Sequence, residues 1–119
     1  MKIILDTNFL VDFIRFKINF ESEFIGNDMF VLDSTIYEIE EITKRKSTEA
    51  SLAKLALEYV KRKGLKILKS KETNTDSSLL EYSKEGYAIA THDRVLKNRI
   101  KKAGGKIIFI RQKRYVVFE

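Results

Sequence analysis

Lys2-Ile3-Ile4-Leu5-Asp6-Thr7-Asn8-Phe9-Leu10, near the head of the chain, decides how the rest is read. A short run of consecutive apolar residues stops at an aspartate, and helical spacing begins at once. Consecutive rather than alternating apolar positions mark a strand buried on both faces. Leu10, Phe13 and Ile14 then share one face of a helix that starts near Asn8. The same unit recurs along the chain. Residues 29–32, 65–68, 87–90 and 106–110 are further short strands, with 115–118 as a sixth at an edge. Between them lie a short helical piece over 20–25 and a helix after the caps Asp33-Ser34-Thr35, with Ile36, Ile39 and Ile42 on one side. A long helix over 48–63 carries Leu52, Leu55, Ala56, Tyr59 and Val60 at helical spacing. Two more helices span about 76–85 and 94–103, the second with Leu96, Ile100 and Ala103 turned inward. Proline is absent, so glycines close the helices. Strands alternating with helices predict an α/β protein with a parallel sheet, helices on both faces and its site at the carboxyl ends of the strands.

The chain has 119 residues, 44% of them hydrophobic and 34% charged, so one domain over 1–119 with a substantial core is expected and disorder is not. No cysteine is present, which excludes disulfides, thiolate zinc sites and a cysteine nucleophile. The single histidine, His92, cannot build a histidine-rich metal site and reads as a polar turn residue. Apolar runs reach only four residues, as at 107–110, so nothing spans a membrane, and no signal peptide is evident. A soluble cytoplasmic protein is expected. Charge is uneven: residues 1–43 hold 3 basic and 9 acidic side chains, and residues 94–119 hold 9 basic and one acidic. An acidic third that gathers cations and a basic end that gathers phosphates point to two surfaces with different tasks.

Four acids fall where the strand-edge rule points. Asp6 follows the first strand, Glu38 lies early in the helix after the second, Asp76 opens the helix after the third, and Asp93 follows the fourth. Gathered on one rim they repel unless a cation neutralises them. Oxygen donors without sulfur or imidazole suit Mg²⁺ or Mn²⁺. Helix capping competes with this reading at each position: Asp6, Asp76 and Asp93 are placed as N-caps, and Thr35 with Glu38 has the spacing of a capping box. Helix angles leave Glu38, Glu40 and Glu41 open as the acid of that helix. After Asp93, Arg94, Lys97 and Lys101 form one basic stripe, and Arg111, Lys113 and Arg114 follow the fifth strand onto the same edge. Together they are the expected track for a phosphate backbone.

Leu5-Asp6-Thr7-Asn8-Phe9-Leu10 and Ala90-Thr91-His92-Asp93-Arg94-Val95-Leu96 resemble the two signature ends of a PIN domain. Asp33-Ser34-Thr35-Ile36-Tyr37-Glu38-Ile39 and Thr75-Asp76-Ser77-Ser78-Leu79-Leu80 resemble its middle motifs, in order. The resemblance implies a three-layer α/β/α sandwich with a central parallel sheet of four or five strands. It implies a Mg²⁺- or Mn²⁺-dependent ribonuclease whose metal-binding acids are Asp6, Glu38, Asp76 and Asp93, with Asn8 and Thr91 as polar helpers. It is also what selects Glu38 over Glu40. His92 stands where the family often has asparagine, and Leu32 where it often has proline. The tail from Gly104-Gly105 to Arg111-Gln112-Lys113-Arg114 is similar to archaeal PIN proteins related to the small-subunit ribosomal RNA processing nucleases, an ending that VapC-type toxins usually lack. The expectation is therefore an endoribonuclease acting on ribosomal RNA precursor, with RNA and assembly proteins as partners and a homodimer left open. The alternatives are a toxin ribonuclease silenced by an antitoxin, or a non-cleaving RNA-binding module.

Overall fold

In the computed structural model, which describes residues 1–119, the strands are β1 (Lys2–Leu5), β2 (Asp28–Leu32), β3 (Lys66–Leu68), β4 (Ala88–Ala90), β5 (Ile107–Arg111) and β6 (Tyr115–Phe118). The helices are α1 (Thr7–Arg15), α2 (Phe20–Phe24), α3 (Asp33–Thr43), α4 (Thr48–Arg62), α5 (Thr75–Lys84) and α6 (Arg94–Lys102). None of them is long and apolar enough to cross a membrane. The strands form one sheet in the order β3-β2-β1-β4-β5-β6. Its first five strands are parallel and β6 returns antiparallel to β5.

The consecutive apolar positions divide between two cores because neighbouring side chains on a strand point to opposite faces. Ile3, Leu5, Met29, Val31, Ala88, Ala90 and Ile108 face α1 to α4, where Phe9, Phe13, Phe24, Ile39 and Tyr59 meet them. Ile4, Phe30, Leu32, Ile89 and Ile107 face α5 and α6, where Leu79, Tyr82, Leu96 and Ile100 meet them. The result is the expected α/β/α sandwich. From β1 the chain proceeds to β2 and β3 on one side, then crosses to β4 and β5 on the other. The carboxyl ends of β1 and β4 thus flank the topological switch point, the usual site of ligand crevices in such sheets.

Three sequence expectations need correction. On α4, Leu55 is half exposed and Leu52 only partly buried, while Ala50, Ala53, Ala56, Tyr59 and Val60 form the buried seam. Small residues win that seam because α4 packs closely against α3 and α1. Ala103 is exposed, since α6 has already ended there. The following glycines serve different ends: Gly104 has φ +81°, whereas a Cβ on Gly105 would lie 2.7 Å from Ile100 Cγ2. Thr35 is not a cap: α3 begins at Asp33, and Thr35 is fully buried with its hydroxyl unpartnered. A buried hydroxyl without a partner is a net cost. Thr35→Val is therefore expected to raise stability by about 1 kcal/mol, read from denaturant melts; a fall of that size would show that the hydroxyl is satisfied in solution.

Candidate active site

Asp6 leaves the end of β1 and is the N-cap of α1. Its backbone N–H donates to Ala90 O at 2.9 Å, which ties it to the end of β4. Both carboxylate oxygens are engaged. Thr7 N donates to Oδ1 at 2.8 Å and Thr91 Oγ1 donates to Oδ2 at 2.8 Å. Asp6 is 7% exposed, and burial pushes its pKa up to about 6, with the negative charge of Asp76 and Glu38 adding to the effect against the two threonine bonds. Thr91, wholly buried, also accepts from Asp93 N at 3.1 Å, so one hydroxyl spaces the first and last acids. Asp93 caps α6, accepting from Leu96 N at 3.0 Å.

Glu38 reaches the rim from α3. Thr7 Oγ1 donates to its Oε1 at 2.7 Å, so Thr7 joins Asp6 to Glu38 as Thr91 joins Asp6 to Asp93. The capping-box reading of Glu38 fails with Thr35. Asp76 is not the cap of α5 either: Asn74 is, accepting from Ser77 N at 2.8 Å. Asp76 is left free to face the other acids. Burial first, and then the charge of Asp93, raise its pKa, while Arg99 opposes them. The loop before α5 is held by Asp33, which accepts from Ser70 N at 3.0 Å and from the Ser70 hydroxyl, and by a 3.0 Å bond from Thr75 Oγ1 to Ser34 Oγ.

The four predicted acids line one cleft of about 390 Å³, with Asn8 beside them. Glu41 lines it too, paired with Lys44 at 3.1 Å, whereas Glu40 does not. Thr91 sits beneath the rim, behind Asp6. Sequence reasoning missed Thr7, Tyr37 and Arg45 as cleft residues, while it leaves Glu41 open beside Glu38; the position of Thr7 directly after the strand-end acid was the available signal. No three acidic or histidine side chains are drawn together tightly enough to hold an ion as they stand. The donor set nonetheless fits a hard divalent cation: it is all oxygen, and the charges of Asp76 and Glu38 already weigh on Asp6.

His92 faces away from the cleft. Its Nδ1 lies 2.9 Å from Asp12 Oδ2, and Ile110 N donates to Nε2 at 3.4 Å, so the ring fastens α1 to the end of β5. The basic residues divide. Lys97 Nζ and the Arg111 guanidinium both sit over the Phe109 ring, at 5.0 and 5.3 Å, bringing α6 and β5 together. Arg94 and Arg114 are exposed without ion pairs, and Lys113 Nζ lies over Phe16 at 5.8 Å. Lys101 pairs with Glu119 at 3.2 Å, beside the amino end of β5 and away from the rim. The hairpin tip holds Gln112 and Lys113 at φ +55° and +56°, a conformation that costs side-chain-bearing residues about 1 kcal/mol or more each.

Residues 3–113 match a family model described as a PIN like domain. Ribonuclease VapC4 of Methanocaldococcus jannaschii is 30% identical over 123 aligned positions, which cover 96% of this chain and 93% of that protein. A solved domain of a functionally unknown protein from Methanocaldococcus jannaschii DSM 2661 shares the fold with a TM-score of 0.67, covering 92% of this chain and 91% of that one at 16% identity.

Proposed function

The chain belongs to the PIN-like domain family, and from that premise we propose that it is a Mg²⁺- or Mn²⁺-dependent endoribonuclease. The observation that carries the reading is the convergence of Asp6, Glu38, Asp76 and Asp93, from four different elements, on one cleft at the switch point of the sheet. Those four carboxylates would hold the ion. When bound, such an ion lowers the pKa of water and offsets charge on a phosphodiester.

The remaining work falls to the chain itself. Thr91 and Thr7 fix the carboxylate of Asp6 at both oxygens, so the acid at the centre of the rim does not turn away. Thr7 also orients Glu38. Asn8 offers an amide at the mouth of the cleft for a phosphate or ribose oxygen. Arg94, Lys97 and Arg111 supply cations beside Asp93 for the RNA backbone, with Lys113 and Arg114 further along. Lys101 contributes little, because Glu119 already neutralises it.

Lys97→Ala with Arg111→Ala should weaken RNA binding across sequences and lower the log–log salt slope by roughly 0.7 unit per lost contact on a single strand. An unchanged slope would mean that the Phe109 pair only faces solvent. The activity is tested by incubating the protein with RNA in Mg²⁺ or Mn²⁺: internal cleavage is expected, and no cleavage of any RNA with either ion would defeat the proposal.

The likeness to ribonuclease VapC4 favours a second biological reading, a toxin ribonuclease restrained by an antitoxin, alongside processing of ribosomal RNA precursor. Induced expression separates them. Growth arrest that Asp6→Asn relieves supports the toxin, and accumulation of uncut precursor on depletion supports processing. A module that binds RNA without cutting is disfavoured by the four acids sharing one rim.

A further inference from the structure

Of the thirteen Phe and Tyr rings, eleven pack against another aromatic ring or lie under a cation. The two without either are Tyr37 and Tyr115, and Tyr37 alone lines the acidic cleft. It is 64% exposed, and its hydroxyl has no hydrogen-bond partner. The ring therefore does nothing for the core, and it shares the cleft lining with Glu38. Arg45 lies in the turn after α3, eight residues on, or about 12 Å along the helix direction. It is the one cation lining a cleft that also holds five carboxylates, yet it pairs with none of them; Glu41 takes Lys44 instead. A guanidinium and an aromatic ring, both unpaired and both lining one cleft, are the two groups that single-stranded nucleic acid uses: stacking for the base, charge for the phosphate.

We propose that Tyr37 and Arg45 form a nucleotide subsite on the α3 side of the cleft, Tyr37 stacking a base and Arg45 holding a neighbouring phosphate, so that the RNA enters unpaired. This deepens the ribonuclease reading and rests on it. The strand is thereby gripped on both sides of the acids, by Tyr37 and Arg45 on one flank and by Arg94 and Lys97 on the other. Single-strandedness follows from the stacking itself. A base inside a duplex has both faces already stacked and cannot offer one to Tyr37.

The test uses a single-stranded RNA carrying 2-aminopurine, bound by the non-cutting Asp6→Asn protein, with the same strand in duplex form as comparison. Quenching of the fluorophore on binding is expected. Tyr37→Ala should weaken binding about tenfold or more and remove the quenching. Tyr37→Phe should keep both, since stacking needs the ring and not the hydroxyl. Arg45→Ala should leave the quenching and lower the salt slope by about 0.7 unit. In the cutting protein, Tyr37→Ala should raise KM for the single strand with kcat largely kept. Equal affinity and quenching in Tyr37→Ala, or duplex bound and cut as well as single strand, would overturn the subsite while cleavage by the wild type left the ribonuclease reading standing. RNA neither cut by the wild type nor bound by any variant would remove both.

Discussion

Asp6→Asn should lower RNA cleavage by well over a hundredfold, more than is lost with an outer partner of a metal ligand, and should at the same time make the protein more stable at neutral pH. The second effect follows from the raised pKa of Asp6. The unfolded chain releases the Asp6 proton near 3.8, and the folded chain holds it until about pH 6. Between those values the folded state binds more protons, so stability falls as pH rises through the interval and the loss is complete above it. A shift of that size corresponds to a few kcal/mol at most, or several degrees in Tm for a chain of this length. Asparagine carries no charge to bury and can keep the bond from Thr7 N. In chelator at pH 7.5, Asp6→Asn should therefore melt higher than wild type, and the gap should close towards pH 4. A variant that melts lower at pH 7.5, or that cuts RNA normally, would contradict the placing of Asp6.

Stripping divalent ions should stop cleavage completely and reversibly while leaving the chain folded. The fold is carried by two apolar cores, so loss of the ion is expected to lower stability without unfolding the chain. Adding Mn²⁺ should raise Tm, by the equivalent of about 2.7 kcal/mol at a hundred times the dissociation constant, and should do little for Asp6→Asn. Unfolding on chelation, followed by circular dichroism, would mean that the ion is structural and the cleavage chemistry lies elsewhere.

Much of this was legible along the chain. Every strand was readable to within a residue or so, because a run such as Ile3-Ile4-Leu5 has no polar position and needs cover on both faces. The carboxyl-edge rule then brought Asp6, Asp76, Asp93 and an acid of α3 to one rim, the PIN resemblance selected Glu38 as that acid, and the cleft contains all four. The burial of α4 was not legible. Its sequence carries one periodic stripe through Leu52 and Leu55 and another through Ala50, Ala53 and Ala56, and periodicity ranks neither above the other. The choice fell to the small residues because α3 and α1 approach closely there.

The sequence by itself determined what depends on near neighbours: the strands, the extent of the helices, the order of the motifs and the sign of the charge at each end. Only the tertiary structure decided which distant groups meet. Thr7 reaches Glu38 across 31 positions and Thr91 reaches Asp6 across 85. Lys101 finds Glu119 while Lys97 shares Phe109 with Arg111. Tyr37 and Arg45 come to line the same cleft as the acids. Spacing along a helix or strand sets the face on which a side chain emerges. What stands opposite that face depends on how the layers pack, and that is a property of the whole sheet and both its covers.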